Sequence, residues 1–290
     1  MSKRSKNHHY VPKVLQRSFL AEPNHIWFSK RELGGEYCAP YLKHIDKAFY
    51  SRNYYTIVHN DELSDTIERE HYGVIDNYLG EVVPEFISAL ERGAAPVFSG
   101  IPLDSIKEVV LEMAKRTPEF PRPHNDLEIG KELIERTLVE LGKKKDLSEY
   151  VKTSSVLGDS SKLIELGRSI RVRATISRSD RVAAALSELS VRWATIPSKH
   201  AYILSSLMVY RVGNGGSNAL NDPKTELWMP ISPRFALVVL HDPGSKIPLI
   251  VRDSPRHVRK INEYAARNSS EIGSHSRKLI ESITGKRARV

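Results

Sequence analysis

The chain has 290 residues, of which 40% are hydrophobic and 27% are charged, and its formal net charge is +9. This composition is typical of a globular protein rather than a disordered one. No apolar run approaches the roughly 20 residues of a membrane span, and the basic amino terminus lacks the apolar region of a signal peptide. The single Cys38 excludes an intramolecular disulfide and a cysteine-built zinc site. We therefore predict a cytoplasmic protein without membrane contact.

The positive charge is clustered in the sequence. The first seventeen residues contain five basic residues and no acidic one, and the segment from Arg256 to Val290 contains nine basic and three acidic residues. A third cluster lies in the middle of the chain, at Arg168, Arg171, Arg173, Arg178 and Arg181. Clustered cations favour polyanions, because each neutralised phosphate releases counterions. The charge pattern predicts nucleic-acid binding, with solvated surface as the alternative.

The segment from Lys6 to Leu20 contains a His-His-Tyr-Val-Pro motif followed by a short apolar-periodic stretch. Pro12 is suited to open a helix, since the first helical position needs no N–H. The motif side chains, His8, His9 and Tyr10, would then precede a helix N-terminus, where anions are favoured.

Further elements follow in chain order. Apolar runs on both sides of Gly34-Gly35 predict a hairpin of residues 26–28 and 36–39, and residues 48–50 and 54–58 are predicted to be extended. A long helix begins near Ser64 or Asp65, with Glu68 at capping-box spacing from Asp65, and ends at Gly93. Pro84 within it predicts a kink or two abutting helices. Two more helices follow, one from Asp104 and one capped by Asp126, and shorter ones lie near residues 147–156 and 162–166.

The second half of the chain turns from helix to strand. Residues 170–176 alternate between apolar and basic side chains, which is a strand pattern, whereas residues 183–189 favour helix. Strands are predicted at 191–196, 201–212, 226–230, 235–241 and 247–252, with a turn at 213–216. A last helix extends from about Pro255 to Ile283. The order predicts one α+β domain over residues 1–290: a motif-bearing β/α piece (1–60), a mainly helical region (61–190), a compact antiparallel sheet (191–252) and a basic closing helix and tail (253–290).

The motif histidines are the sharpest candidates for chemistry. Neighbouring residues of an extended segment point to opposite faces, so His8 and His9 are not expected to share one metal ion. One ring could act as acid, base or ligand while the other is fixed by a hydrogen bond, and Tyr10 could position a substrate. The alternative is structural, with a histidine in the core and Tyr10 packed against the helix.

A second candidate is the carboxylate group at the start of the long helix. Asp65 and Glu68 could hold a divalent metal together with His8 or His9, as in hydrolytic nucleases. First-turn carboxylates are also what capping and the helix dipole predict, and that interpretation is favoured here. Candidate phosphate contacts are Lys6, Lys13, Arg17, Arg52, Arg171 and Arg173.

Other patterns do not support a site. Residues 213–216 are typical of a hairpin tip rather than a phosphate-binding loop, and Ser205 and Ser206 lack the glycines of a nucleophile elbow. The remaining histidines, including His200, His257 and His275, are scattered and are interpreted as incidental.

The motif resembles the hallmark of a bacterial family of unknown function. Further agreement comes from Phe49-Tyr50, Ile67-Glu68, Trp193, the segment Trp228–Pro233 and Ile261-Asn262. The resemblance implies no established reaction. One departure stands out, because Ser206 occupies the place where that family usually has an aspartate. If the aspartate is catalytic or a metal ligand, this chain is expected to be inactive or differently tuned. If it only caps a turn, little changes.

Two functions follow from these observations. The first is a nucleic-acid-engaging protein, in the form of a nuclease-like effector or toxin of bacterial and phage conflict. In it His8 or His9 is base or ligand, Tyr10 positions the substrate and Glu68 is a ligand or second acid, with a divalent metal as cofactor. The alternative is a non-catalytic module that binds protein or nucleic acid, in which His8 and His9 are structural. Burial of the two rings, without a pocket beside them, would favour the second.

Overall fold

The computed structural model describes residues 6–59, 62–97, 103–120, 125–144, 146–177, 179–196, 199–212 and 220–286. Its strands are β1 (Asn7–His9), β2 (His25–Lys30), β3 (Tyr41–His44), β4 (Tyr50–Arg52), β5 (Ile57–His59), β6 (Glu62–Ser64), β7 (Ser190–Thr195), β8 (Leu204–Ser205), β9 (Tyr210–Val212), β10 (Glu226–Pro230), β11 (Phe235–Leu240), β12 (Ile250–Arg252) and β13 (Glu271–Ser274).

The helices are α1 (Lys13–Arg17), α2 (Gly73–Glu91), α3 (Leu103–Lys115), α4 (Asp126–Lys144), α5 (Leu147–Ser154), α6 (Ser160–Ile176), α7 (Asp180–Ser187), α8 (Pro255–Asn268) and α9 (Arg277–Thr284). A π-helical turn, Ile67–Tyr72, leads into α2. The architecture is α+β, with a strand-rich amino-terminal region, a helical middle, antiparallel sheets and a carboxy-terminal helix, as predicted. Within the described residues, no helix combines the length and apolarity that crossing a membrane requires.

Two compact units divide the chain. The first comprises Met1–His8, Ser51–Val74 and Pro121–Ser177, and the second comprises His9–Tyr50, Ile75–Phe120 and Arg178–Val290. The single-domain organisation over residues 1–290 stays a prediction.

The first unit is organised around α4 and α6, which approach each other at two glycines. A Cβ atom at Gly130 would lie 2.0 Å from the Leu163 carbonyl oxygen, and one at Gly167 would lie 1.7 Å from the Asp126 carbonyl oxygen. Only glycine therefore permits this spacing of the two backbones. An ion pair between Arg171 and Asp126, with Nε and Oδ1 2.8 Å apart, connects the same helices.

The second unit contains two sheets. The larger has the order β12-β7-β11-β10-β9, and all its pairings are antiparallel except the edge strand β12, which runs parallel to β7. All six residues of β11 are buried, which fits its place at the centre of this sheet. The smaller sheet, β3-β2-β13-β8, joins the amino-terminal hairpin to a carboxy-terminal strand.

Several boundaries differ from the predictions. The strand pattern at residues 170–176 is part of the helix α6, and the helix predicted from Pro255 to Ile283 is interrupted by β13. The hairpin partner of β2 is β3, rather than residues 36–39, although an isolated bridge joins Arg31 and Tyr37. The first turn of α4 is capped by Asn125, whose Oδ1 accepts from the Leu127 amide, and not by Asp126. The predicted turn at 213–216 lies outside the described residues.

Candidate functional site

The motif segment forms β1, and Pro12 stands immediately before the helix α1 as predicted. Leu15 and Phe19 are fully buried and fix the helix to the core. The helix has only five residues, so its dipole offers little attraction to an anion.

His8 has a structural role within the first unit. The side chain is fully buried, and its Nδ1 accepts a hydrogen bond from the Tyr55 amide at 2.9 Å. Its ring is stacked parallel to the Tyr55 ring, with centroids 5.7 Å apart. A ring enclosed in this way cannot reach a substrate.

His9 has a different environment, in the second unit. Arg116 is fully buried, donates to the His9 carbonyl oxygen at 2.6 Å and binds the Asp76 carboxylate through both terminal nitrogens. Burial lowers the pKa of His9, nearby Lys13 lowers it further, and a backbone hydrogen bond with Ile45 partly offsets the shift. The ring is therefore neutral near pH 7. Its Nε2 is buried and has no hydrogen-bond partner among the described residues.

Tyr10 belongs to a third environment. Its hydroxyl donates to Glu271 Oε2, 261 residues away in the sequence, and its amide donates to the Phe49 carbonyl at 3.1 Å. Burial raises the pKa of Glu271, while the Tyr10 hydroxyl and Lys43 act in the opposite direction. A buried carboxyl that needs a hydrogen-bond donor explains the position of Tyr10.

Ser206 lies beside the backbone of Glu271. Its amide donates to the Glu271 carbonyl at 2.8 Å, and its hydroxyl donates to Glu119 Oε1. The same Oε1 accepts from the amide and hydroxyl of Ser270, at 2.8 and 2.7 Å. Glu119 Oε2 is buried without a hydrogen-bond partner in the described part of the chain. We name Tyr10, Glu119, Ser206, Ser270 and Glu271 the Glu119–Glu271 cluster.

The carboxylates proposed for a metal have other contacts. Asp65 is bonded to Arg69, with Oδ1 and Nε 3.0 Å apart, and Thr66 precedes the π-helical turn without a capping hydrogen bond from its side chain. The predicted capping box of Asp65 and Glu68 stays a prediction. Glu68 lies within the π-helical turn itself. Across the described ranges, no three His, Cys, Asp or Glu side chains are grouped as metal ligands would be.

The predicted phosphate contacts fall into two groups. Arg171 pairs with Asp126 and stacks on Tyr54, Arg173 donates to the Val58 carbonyl at 3.1 Å, and Lys13 pairs with Asp46 at 2.5 Å. The other three are exposed, and none has an ion pair with another described residue: Lys6, Arg17 and Arg52. Arg171 and Arg173 thus hold the first unit together and are poor candidates for binding a polyanion.

The carboxy-terminal basic segment contains exposed basic side chains that, among the described residues, form no ion pair. Arg256, Lys260 and Arg267 are exposed on α8, without an ion pair to any residue in the described ranges. Arg259 pairs with Glu263 at 2.7 Å, and Lys286 pairs with Glu36 at 2.5 Å. We name Arg256, Lys260 and Arg267 the α8 stripe.

The sequence profile of a family described as "Protein of unknown function (DUF4238)" matches residues 7–278. The chain belongs to this family. Comparison with curated proteins and with solved structures finds no significant match. The match confirms the predicted resemblance to a family of unknown function, and it does not indicate which reaction, if any, the protein catalyses.

The serine at position 206, where the resemblance leads us to expect an aspartate, has a local physical account within the Glu119–Glu271 cluster. A serine hydroxyl donates to Glu119, whereas an ionised aspartate in its place would set two carboxylates side by side. Such a pair is stable only if it retains a proton or binds a cation. Ser206 therefore suits a cluster that is held together by hydrogen bonds alone.

Sequence reasoning missed the partners that hold the motif. Arg116 lies 107 residues from His9, and Tyr55 lies 47 residues from His8. Neither pairing has a local spacing signal, since a helix or strand pattern reports only on neighbours within the same element. The α8 stripe, in contrast, was visible as a basic segment.

Proposed function

We propose that this is a cytoplasmic, non-catalytic protein that binds nucleic acid through the α8 stripe, with His8 and His9 in structural roles. The observation that carries the proposal is the exposure of three unpaired cations on one face of α8. The charge of the whole chain, +9, acts in the same direction.

The spacing of the α8 stripe suits a backbone of repeated phosphates. At about 100° per residue, Arg256, Lys260 and Arg267 fall within an arc of about 40°. They extend over roughly 16 Å of helix axis, at about 1.5 Å per residue. Glu263 lies on the same face, but its carboxylate is bonded to Arg259, so the face keeps an excess of positive charge.

The burial of His8 and of the His9 Nε2 atom supports the non-catalytic form of the proposal. His8 is buried and hydrogen-bonded, and the unpaired nitrogen of His9 is shielded from solvent. A general base must reach the proton it abstracts, directly or through one water. Neither ring meets that condition in this conformation.

The test is nucleic-acid binding across a salt series. A labelled single-stranded oligonucleotide is titrated with the protein between about 50 and 200 mM salt, and anisotropy gives the affinity. Because each phosphate contact contributes about 0.7 to the slope of log K against log salt, Lys260→Gln/Arg267→Gln should reduce the slope by about 1.4.

The matched control is Arg136→Gln/Lys143→Gln on α4. It changes the net charge equally, but both cations are paired with neighbouring glutamates, so the slope should stay at the wild-type value. An unchanged slope in the α8 variant would contradict the proposal. Absence of binding at the lowest salt would favour a protein partner instead.

A nuclease-like effector or toxin of bacterial and phage conflict is the second candidate. The observation that favours it is the neutral His9 ring with its unpaired Nε2, a state suited to a base or a metal ligand after a local rearrangement. This candidate requires cleavage of the labelled oligonucleotide by the wild type and its loss in a folded His9→Ala variant that still binds.

A further inference from the structure

A cavity of about 550 Å³ lies between α8, α9 and the segment Lys199–Ala201, within the second unit. Its volume falls in the range of about 300–1,000 Å³ that is usual for small-molecule sites. It is distinct from the motif and from the Glu119–Glu271 cluster, which contribute no lining residue.

The mouth of the cavity is positively charged. Lys199 and Arg256 contribute exposed cations, and His200 and His275 lie beside them. None of the lining residues that the structure describes is an aspartate or glutamate. Lys199 and Arg256 form no ion pair with the described part of the chain, so their charge is available to a ligand.

Two helices begin at this cavity. Pro255 and Arg256 form the first turn of α8, and Ser276 caps α9 by accepting from the Leu279 amide at 3.3 Å. All three residues line the cavity. The positive ends of both helix dipoles therefore add to the field of the side-chain cations.

The walls include an apolar surface. Val258, Leu279 and Ile283 contribute it, and Val258 is buried. One wall is fixed by Asn262, which donates to the Ala201 carbonyl at 2.8 Å and accepts from the Ile203 amide at 3.1 Å. These two hydrogen bonds fix α8 against the neighbouring segment.

We propose that this cavity binds a nucleoside phosphate, with the phosphate at the cationic mouth and the base against the apolar wall. An inorganic anion would use only the mouth, and an apolar ligand would leave the cations unpaired. A nucleoside phosphate satisfies both surfaces. The source is either a free nucleotide or the phosphorylated end of a strand, and only the strand end rests on the proposed function.

The first experiment measures binding of adenosine monophosphate to the full chain by calorimetry, with adenosine and inorganic phosphate as separate probes. Adenosine monophosphate should bind at least tenfold more tightly than either part. Arg256→Gln and Lys199→Gln should each weaken it by about tenfold, the usual scale for losing one charge-assisted hydrogen bond.

Two further variants control for charge and for folding. Arg252→Gln removes an exposed cation outside the cavity and should leave the affinity unchanged. Ser282→Glu introduces a carboxylate at an exposed lining position and should abolish binding without unfolding the protein. Equal affinity for phosphate and adenosine monophosphate, or wild-type affinity in Ser282→Glu, would overturn the proposal.

The two sources are separated with oligonucleotides. An oligonucleotide with a 5′-phosphate should bind more tightly than the same strand with a 5′-hydroxyl if the cavity takes strand ends, and equally if it takes free nucleotides. Lys260→Gln/Arg267→Gln lies outside the cavity lining and should keep wild-type affinity for adenosine monophosphate. If the wild-type protein does not bind adenosine monophosphate but its oligonucleotide binding keeps the expected salt slope, the cavity proposal alone is overturned.

Discussion

The residues His8, His9 and Tyr10 are adjacent in sequence but have different partners. His8 bonds and stacks with Tyr55, His9 contacts Arg116 through its carbonyl, and Tyr10 donates to Glu271. The expectation that neighbouring side chains of an extended segment diverge agrees with this separation. The motif connects parts of the chain that are far apart in sequence, which is a sufficient structural reason for its composition.

At the same scale, His8→Ala should destabilise the protein by about 3 kcal/mol, because the Tyr55 amide loses its acceptor and a buried ring is replaced by a void. Urea denaturation gives the free energy of unfolding. His8→Asn should recover part of the loss, since its amide oxygen can accept from Tyr55. The exposed His200→Ala is the control and should stay within about 0.5 kcal/mol of wild type. Equal stability of His8→Ala and wild type would refute the structural role.

At the scale of elements, the errors of sequence reasoning have identifiable causes. Residues 170–176 alternate apolar and basic side chains, yet they belong to α6, because its arginines are bonded internally: Arg171 pairs with Asp126 and Arg173 with the Val58 carbonyl. The alternating arginines therefore gave the sequence pattern of a strand with one solvent-exposed face. The last predicted helix is interrupted by β13 directly after Asn268-Ser269-Ser270, a turn-like stretch. The prediction missed this break because the residues on either side have helical periodicity.

The contact between α4 and α6 gives a prediction at this scale. Gly167→Ala should destabilise the first unit by about 1–3 kcal/mol, because the added methyl group would overlap the Asp126 carbonyl. Helix propensity alone predicts the opposite, a gain of up to about 1 kcal/mol. The matched control is Gly142→Ala in α4, where nothing lies within 4 Å of the added Cβ. In thermal unfolding, the midpoint should fall for Gly167→Ala and should not fall for Gly142→Ala. A stabilised Gly167→Ala would show that the helices do not pack this closely.

For the whole molecule, fold class was predictable from the order of periodic segments, while the pairing of strands was not. The smaller sheet places β13 between β2 and β8, joining residues near positions 28, 204 and 273. No local pattern encodes such a partner. The same limit applies to the candidate site, where the motif was found but Arg116 and Glu271 were not. Residues that are far apart in the sequence can be recognised as partners only when the fold brings them together.

The long-range pairing of β13 leads to the last prediction. A chain that ends at Asn268 lacks β13 and α9, and therefore the fully buried Ile272 and Ile280. Burying two isoleucines contributes about 3–6 kcal/mol, a large part of the usual 5–15 kcal/mol of domain stability.

The shortened chain also leaves β8 without its partner and Tyr10 without Glu271. We therefore expect it to lose cooperative urea unfolding, measured by circular dichroism, and to aggregate through the exposed strand edges. A chain that ends at Lys286 retains both elements and should unfold like the full-length protein. Cooperative unfolding of the shorter chain at the same midpoint would mean that the amino-terminal hairpin does not depend on its carboxy-terminal strand.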